Sequence, residues 1–290
     1  MTLVQLIAPG AELEKLAGGF SFTEGPAVDP EGNVYFTDQP NDRILRWSVE
    51  DILTTFLQPA GRSNGLYFDT EGRLLACADE KNQLWRIDSD GRVEVLVKDY
   101  QGKLLNGPND VWVHPNGTIY FTDPYYERPY WQRSQPKLEV EGVYRLSADG
   151  RELERIIDNL VKPNGIVGTP DGKYLYVADI GAGRTYRYPI LESGGVGPAE
   201  LFCEMGSDGM TLDEAGNLYL TGRGVTVFSA SGRRLGNIPV PEPWTANVCF
   251  GGKDYRDLFI TASRGLYRLR MQVTGAAPPP PACGENAPCR

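Results

Sequence analysis

Residues 109–123 read NDVWVHPNGTIYFTD. An apolar run, a proline–asparagine–glycine turn and a second apolar run that alternates with polar residues make a β-hairpin. The same layout recurs along the chain: EGPAVDPEGNVYFTD (24–38), NGLYFDTEGRLLACAD (64–79), NGIVGTPDGKYLYVAD (164–179), DGMTLDEAGNLYLTG (208–222) and a degenerate NVCFGGKDYRDLFITA (247–262). In the first five copies a glycine stands eight residues after the first, at Gly32, Gly72, Gly117, Gly172 and Gly216, where a hairpin turn often needs positive φ.

The head residues of the copies are spaced by 40, 45, 55, 44 and 39. A third strand candidate follows each hairpin, such as ILRW (44–47) or GVYRL (142–146), and most units add a fourth, such as VEVLV (93–97). Six such units predict an all-β fold, a six-bladed β-propeller with four-stranded blades. The last unit lacks its outer strand, and LEKLA (13–17) near the N-terminus resembles it, so the N-terminal strand is expected to close the ring and leave no open edge. The expected organisation is one propeller over 1–273 and a disordered Pro-rich tail over 274–290.

The chain has 290 residues, with 38 acidic and 29 basic side chains and a net charge of −9. That acidity argues against nucleic acid and anionic membrane surfaces as partners. No apolar run reaches the length of a membrane span, and MTLVQLIAPGAELEKL lacks the basic and apolar regions of a signal peptide. A cytoplasmic protein, monomer or dimer, is expected. Five cysteines (77, 203, 249, 283, 289) form no CxxC pair and read as reduced, with Cys283 and Cys289 able to pair in an oxidising setting.

In a propeller one repeat position forms a ring near the axis. Here that position is Glu24, Asn64, Asn109, Asn164, Asp208 and Asn247, polar in every copy and set before mostly apolar runs. Oxygen ligands of this kind suit a hard divalent cation, and two carboxylates would balance its charge. The single histidine, His114, lies at a hairpin turn, so neither a His-rich zinc site nor a Ser-His-Asp triad is available. No glycine-rich nucleotide motif is present. The longest interval carries PYYERPYWQRSQPKLEVEG after Asp123, whose aromatic residues and Arg128 and Arg133 suit a polar ring substrate at the channel mouth.

FTEGP, PND, KPNG and SDGM, in this order and with YFTD-like hairpins, resemble the senescence-marker-protein/gluconolactonase/regucalcin-like family over about residues 12–270. The resemblance implies one divalent cation in the central channel and lactone hydrolysis. It implies that Glu24, Asn164 and Asp208 hold the metal, with Asn109 completing the coordination or contacting substrate, and that Asp208 is the general base. Calcium is the first expectation, with Mg²⁺, Mn²⁺ and Zn²⁺ open. Asn109, Asn64, Tyr125 and Tyr126 are assigned to the substrate, a small lactone. Relatives often carry Cys-Glu-His where this chain has Cys77-Ala78-Asp79, which leaves the exact lactone open. Two alternatives stand: a phosphotriesterase or phosphofluoridate hydrolase on the same metal, and a non-catalytic propeller acting as an interaction module.

Overall fold

In a computed structural model describing residues 2–276, the chain forms six antiparallel blades around one axis. Their innermost strands are Thr23–Val28, Ser63–Phe68, Val111–Val113, Pro163–Gly168, Met210–Leu212 and Thr245–Gly251. Blades one to five run outward in sequence order, as in Thr23–Val28, Val34–Asp38, Arg43–Trp47 and Leu53–Leu57 of blade one. The sequence pattern sets this order: second strands such as Leu74–Ala78 and Ile119–Asp123 are buried throughout, whereas outer strands such as Leu53–Leu57 are largely exposed.

The ring closes as the repeat pattern predicts. Glu14–Gly18 pairs antiparallel with Gly265–Arg270 and supplies the outer strand of blade six. Blades five and six are joined into one sheet by the pairing of Gly222 with Thr245. The core lies between blades. Phe36 and Trp47 of the first blade, and Phe20 just ahead of it, pack with Phe259 and Leu266 of the last, and burying side chains of this size stabilises by about 1.5–3 kcal/mol each.

Two polar devices draw the blades together. Second-strand threonines donate to the next blade's inner strand: Thr37 to the Asn64 carbonyl at 3.1 Å, Thr122 to the Asn164 carbonyl at 2.7 Å and Thr221 to the Ala246 carbonyl at 2.8 Å. The glycine after a head residue admits the neighbouring blade. A Cβ on Gly165 would lie 2.7 Å from the Asp208 carbonyl oxygen, so no larger residue fits without moving a blade.

Past residue 273 the chain stays in contact with the ring. Gly275 donates to the Tyr255 carbonyl at 2.8 Å and Ala276 to the Leu212 carbonyl at 2.9 Å. The remainder of the expected tail, with Cys283 and Cys289, lies outside the described residues. Cys77, Cys203 and Cys249 are buried free thiols. Among the described residues no helix is long and apolar enough to cross a membrane.

Candidate functional site

The head residues sit where the inner strands begin, at one end of the channel. Below them the channel is a cavity of about 290 Å³ walled by apolar side chains such as Leu66, Val111, Ile166 and Val248, with Asp110 and Asn247 at its upper end. Polar heads above apolar walls leave their charges poorly solvated.

Asn164 and Asp208 meet directly. The Asn164 amide Nδ2 donates to Asp208 Oδ1 at 2.9 Å and to the Tyr126 hydroxyl at 2.9 Å. An ionised carboxylate only accepts, which fixes the amide orientation and turns Asn164 Oδ1 the other way. That oxygen is buried and has no partner, and Asn64 Oδ1 is in the same condition. Trp244 Nε1 donates to Asp208 Oδ2 at 2.6 Å. Glu24 accepts from the Gly25 amide at 2.8 Å through Oε2.

Burial pushes the Glu24 carboxyl well above its ordinary range, and the Asp208 charge adds to the effect against the Gly25 hydrogen bond. Burial also raises Asp208, opposed by its bonds from Trp244 and Asn164 and by the charge of Arg128. Asp110, next to Asn109, is pushed up to about 7 by burial despite bonds from the Val111 and Ile166 amides. The axis therefore gathers buried carboxyls whose charged forms are disfavoured.

Among the described residues no three His, Cys, Asp or Glu side chains converge as a metal cluster. What does meet on the axis is mixed, the Asp208 carboxylate with the Asn164 amide. Of the three buried amide oxygens without a partner among the described residues, those of Asn64 and Asn164 stand at head positions and fit a hard cation, because a buried carbonyl without a partner costs about 1–3 kcal/mol unless something coordinates it.

Asn109 is buried at its head position, and its backbone holds blades two and three together through Gly65 N–H and Thr122 C=O at 2.7 and 2.9 Å. No side-chain hydrogen bond joins it to Asn164 and Asp208 among the described residues. Tyr126 reaches the site through Asn164, whereas Tyr125 packs on Trp131 and Arg133, at 5.9 and 5.2 Å from ring centroid to ring or guanidinium. His114 bridges hairpin turns, with Nε2 3.1 Å from the Gly172 carbonyl.

The loop after Asp123 does cross the channel end of blade two, and its anchor is Asp79. Asp79 closes its repeat's hairpin where Asp38, Asp123 and Asp179 close theirs. Those three do accept from incoming backbone amides: Asp38 from Ser21 and Phe22, Asp123 from Asn106 and Gly107, and Asp179 from Val161 and Lys162. In blade two Asp42 instead accepts from Ala60 and Arg62, at 2.9 and 2.7 Å. Asp79 is thereby released to accept from Arg128 Nε at 2.6 Å, the Tyr130 hydroxyl at 2.6 Å and Gln39 Nε2 at 3.2 Å. Trp244, Asp110 and the Asp79–Arg128 pair are site features that sequence reasoning did not assign.

Relatives share this framework. The chain is 31% identical to a gluconolactonase of Zymomonas mobilis, over 91% of this chain and 82% of that protein. It superposes on a gluconolactonase structure from Xanthomonas campestris with a TM-score of 0.86 at 30% identity, covering 93% of each chain. A calcium-binding regucalcin structure from Agrobacterium tumefaciens shares the fold, with a TM-score of 0.77 at 20% identity over 95% of this chain and 98% of that one. The model of the SMP-30/gluconolactonase/LRE-like region matches residues 22–264, most of the propeller, and the chain belongs to that family.

Proposed function

We propose that the protein is a divalent-cation-dependent hydrolase that opens a small, sugar-derived lactone. The observation that carries this reading is the contact of the Asp208 carboxylate with the Asn164 amide on the axis, in a ring where Asn164 Oδ1 has no partner and the Asp208 charge raises Glu24. The names of the Zymomonas and Xanthomonas gluconolactonases support the substrate class, and the calcium-binding description of the regucalcin structure is consistent with calcium as the cation.

Glu24, Asn164 and Asp208 would hold the cation, with Asn109 or Asn64 at the substrate side. A bound divalent cation supplies a Lewis acid that polarises a carbonyl and makes nearby water more acidic. Asp208 is held by two donors, Asn164 Nδ2 and Trp244 Nε1, in a fixed orientation. It orients a water for attack on the lactone carbonyl carbon and takes its proton. The proton returns to the ring oxygen as the acyl–oxygen bond breaks, leaving a hydroxy acid. Tyr126 keeps Asn164 in register, and burial keeps its hydroxyl protonated and available to bond there.

The test is lactone hydrolysis followed by pH-stat after chelation and then with Ca²⁺, Mg²⁺, Mn²⁺ or Zn²⁺ restored. Activity should vanish with chelator, return with metal and be lost in Glu24→Gln and Asp208→Asn. Cation binding without turnover of any lactone would move the reading to phosphoesters. Full turnover and metal affinity in Asp208→Asn would sink the mechanism.

A further inference from the structure

Arg128 reaches the site from the long loop of blade three and is positioned from blade two. Its Nε donates to Asp79 Oδ2 at 2.6 Å, and that oxygen is also bound by Tyr130 and Gln39. The Asp79 side chain is almost fully buried, so the guanidinium is pinned at one nitrogen by a carboxylate that cannot easily move. Arg128 also lies over the Tyr126 ring, 5.6 Å from its centroid, and the Tyr126 hydroxyl is bonded to Asn164, the partner of Asp208. The positive charge is felt at both Glu24 and Asp208.

A salt bridge that served only to tie down the loop would engage the guanidinium fork with the carboxylate. Here the Nη1 and Nη2 nitrogens find no hydrogen-bond acceptor among the described residues, and the side chain keeps 22% of its surface exposed. Two coplanar donors are left at the channel mouth, in a geometry matched to a pair of adjacent oxygens. Trp131 Nε1 donates to the Asp79 carbonyl at 3.0 Å and Arg62 covers the Tyr130 ring at 4.8 Å, so the loop has other anchors.

We propose that Arg128 is a specificity-determining residue, whose two free nitrogens donate to neighbouring hydroxyls or a carboxylate on the substrate, and that Asp79 is its positioning residue. The site then selects polyhydroxylated lactones, and their hydroxy-acid products, over lactones with a bare ring. This inference rests on the lactonase reading above.

The experiment compares glucono-δ-lactone with δ-valerolactone by pH-stat at saturating cation, and measures gluconate binding by calorimetry. On the pH plateau, where Asp208 is ionised with or without the Arg128 charge, Arg128→Ala should lower kcat/KM for gluconolactone about 10- to 100-fold, mostly through KM, and change δ-valerolactone less than about threefold. Arg128→Lys should recover little, because a point charge lacks the fork. Asp79→Asn should show the same selective KM effect at smaller size. Tyr130→Phe removes one Asp79 bond but leaves the guanidinium, and should alter both substrates alike. Equal losses on the two lactones in Arg128→Ala, or no loss, overturn the proposal. If the unmodified protein hydrolyses neither lactone, the lactonase reading fails on its own. Gluconate affinity then decides Arg128: a drop of about 10-fold or more in Arg128→Ala supports it, and an unchanged affinity overturns it.

Discussion

Replacing Gly165 with alanine adds one methyl group where the inner strands of blades four and five meet. The built Cβ would sit 2.7 Å from the Asp208 carbonyl oxygen and 3.2 Å from the backbone of Gly209. Both neighbours are backbone, so neither can swing aside as a side chain would. Gly165 is not among the positive-φ residues, so alanine is acceptable to the local backbone and the conflict is purely steric. Overpacking of this kind costs about 1–3 kcal/mol. The loss of unfolded-state freedom on going from Gly to Ala returns about 0.4–1 kcal/mol. The steric term is the larger, with a net loss of up to about 2.5 kcal/mol, or up to roughly 10 °C in Tm for a domain of this size. The push acts between Asn164 and Asp208, so cation affinity should fall by about tenfold or more beyond the stability loss. Gly195→Ala is the control: it also has no positive φ, and its built Cβ meets only the flexible Ser193 hydroxyl at 3.4 Å. Urea unfolding and calorimetric cation titration compare the two. If Gly165→Ala matches Gly195→Ala in both, the blades do not close on the axis through this glycine, and the reasoning fails.

Trp244→Phe removes the 2.6 Å donor from Asp208 Oδ2. A hydrogen bond to a charged acceptor is worth about 1.5–3 kcal/mol, so kcat/KM should drop by about 10- to 150-fold, and the acid limb of the pH–rate profile should move to higher pH because the ionised form has lost a donor. An unchanged profile would detach Trp244 from the chemistry. Without divalent cation, thermal stability should decline as pH rises from 5.5 to 7. Burial lifts Asp110 and Asp123 each to about 7, well above their unfolded value, so in this window the folded state holds protons that the unfolded state has released. The contribution is complete below the unfolded pKa and is lost as pH climbs through the folded one, at up to about 1.4 kcal/mol per pH unit for each group. A Tm that rises across the window counts against this sign.

The propeller was legible because its signal is repeated. Six hairpins with one turn glycine at a fixed offset and polar heads at one position leave little choice of architecture, and the missing last outer strand pointed to residues 13–17. The same periodicity puts six polar heads on the axis, and it is the resemblance of EGP, PNG and DG to the family's motifs that singles out Glu24, Asn164 and Asp208 among them. What the sequence hid is where a repeat position changes its job. Asp79 occupies the same place as Asp38, Asp123 and Asp179, and its string looks alike. Its release depends on Asp42, one blade earlier, capping Ala60 and Arg62 in its stead. Trp244 lies in the connection between blades five and six, outside any repeated position, so no comparison between copies could single it out. Arg128 was visible as a charge in a long loop, but its direction is set by a carboxylate far away in the chain.

The pairing of Glu14–Gly18 with Gly265–Arg270 also sets an order of events during synthesis. The ring's first strand leaves the ribosome long before its partner exists. At roughly 5–20 residues per second, the wait is on the order of ten to fifty seconds. Throughout it the five earlier blades can stack, but the sixth has no outer edge and the first has no neighbour on one side. Closure is a late contact between distant parts of the chain, the kind that slows folding. Until it happens, an unpaired strand at each side of the gap is open to a second nascent copy, and a bulky group fused just ahead of residue 14 would prolong that exposure.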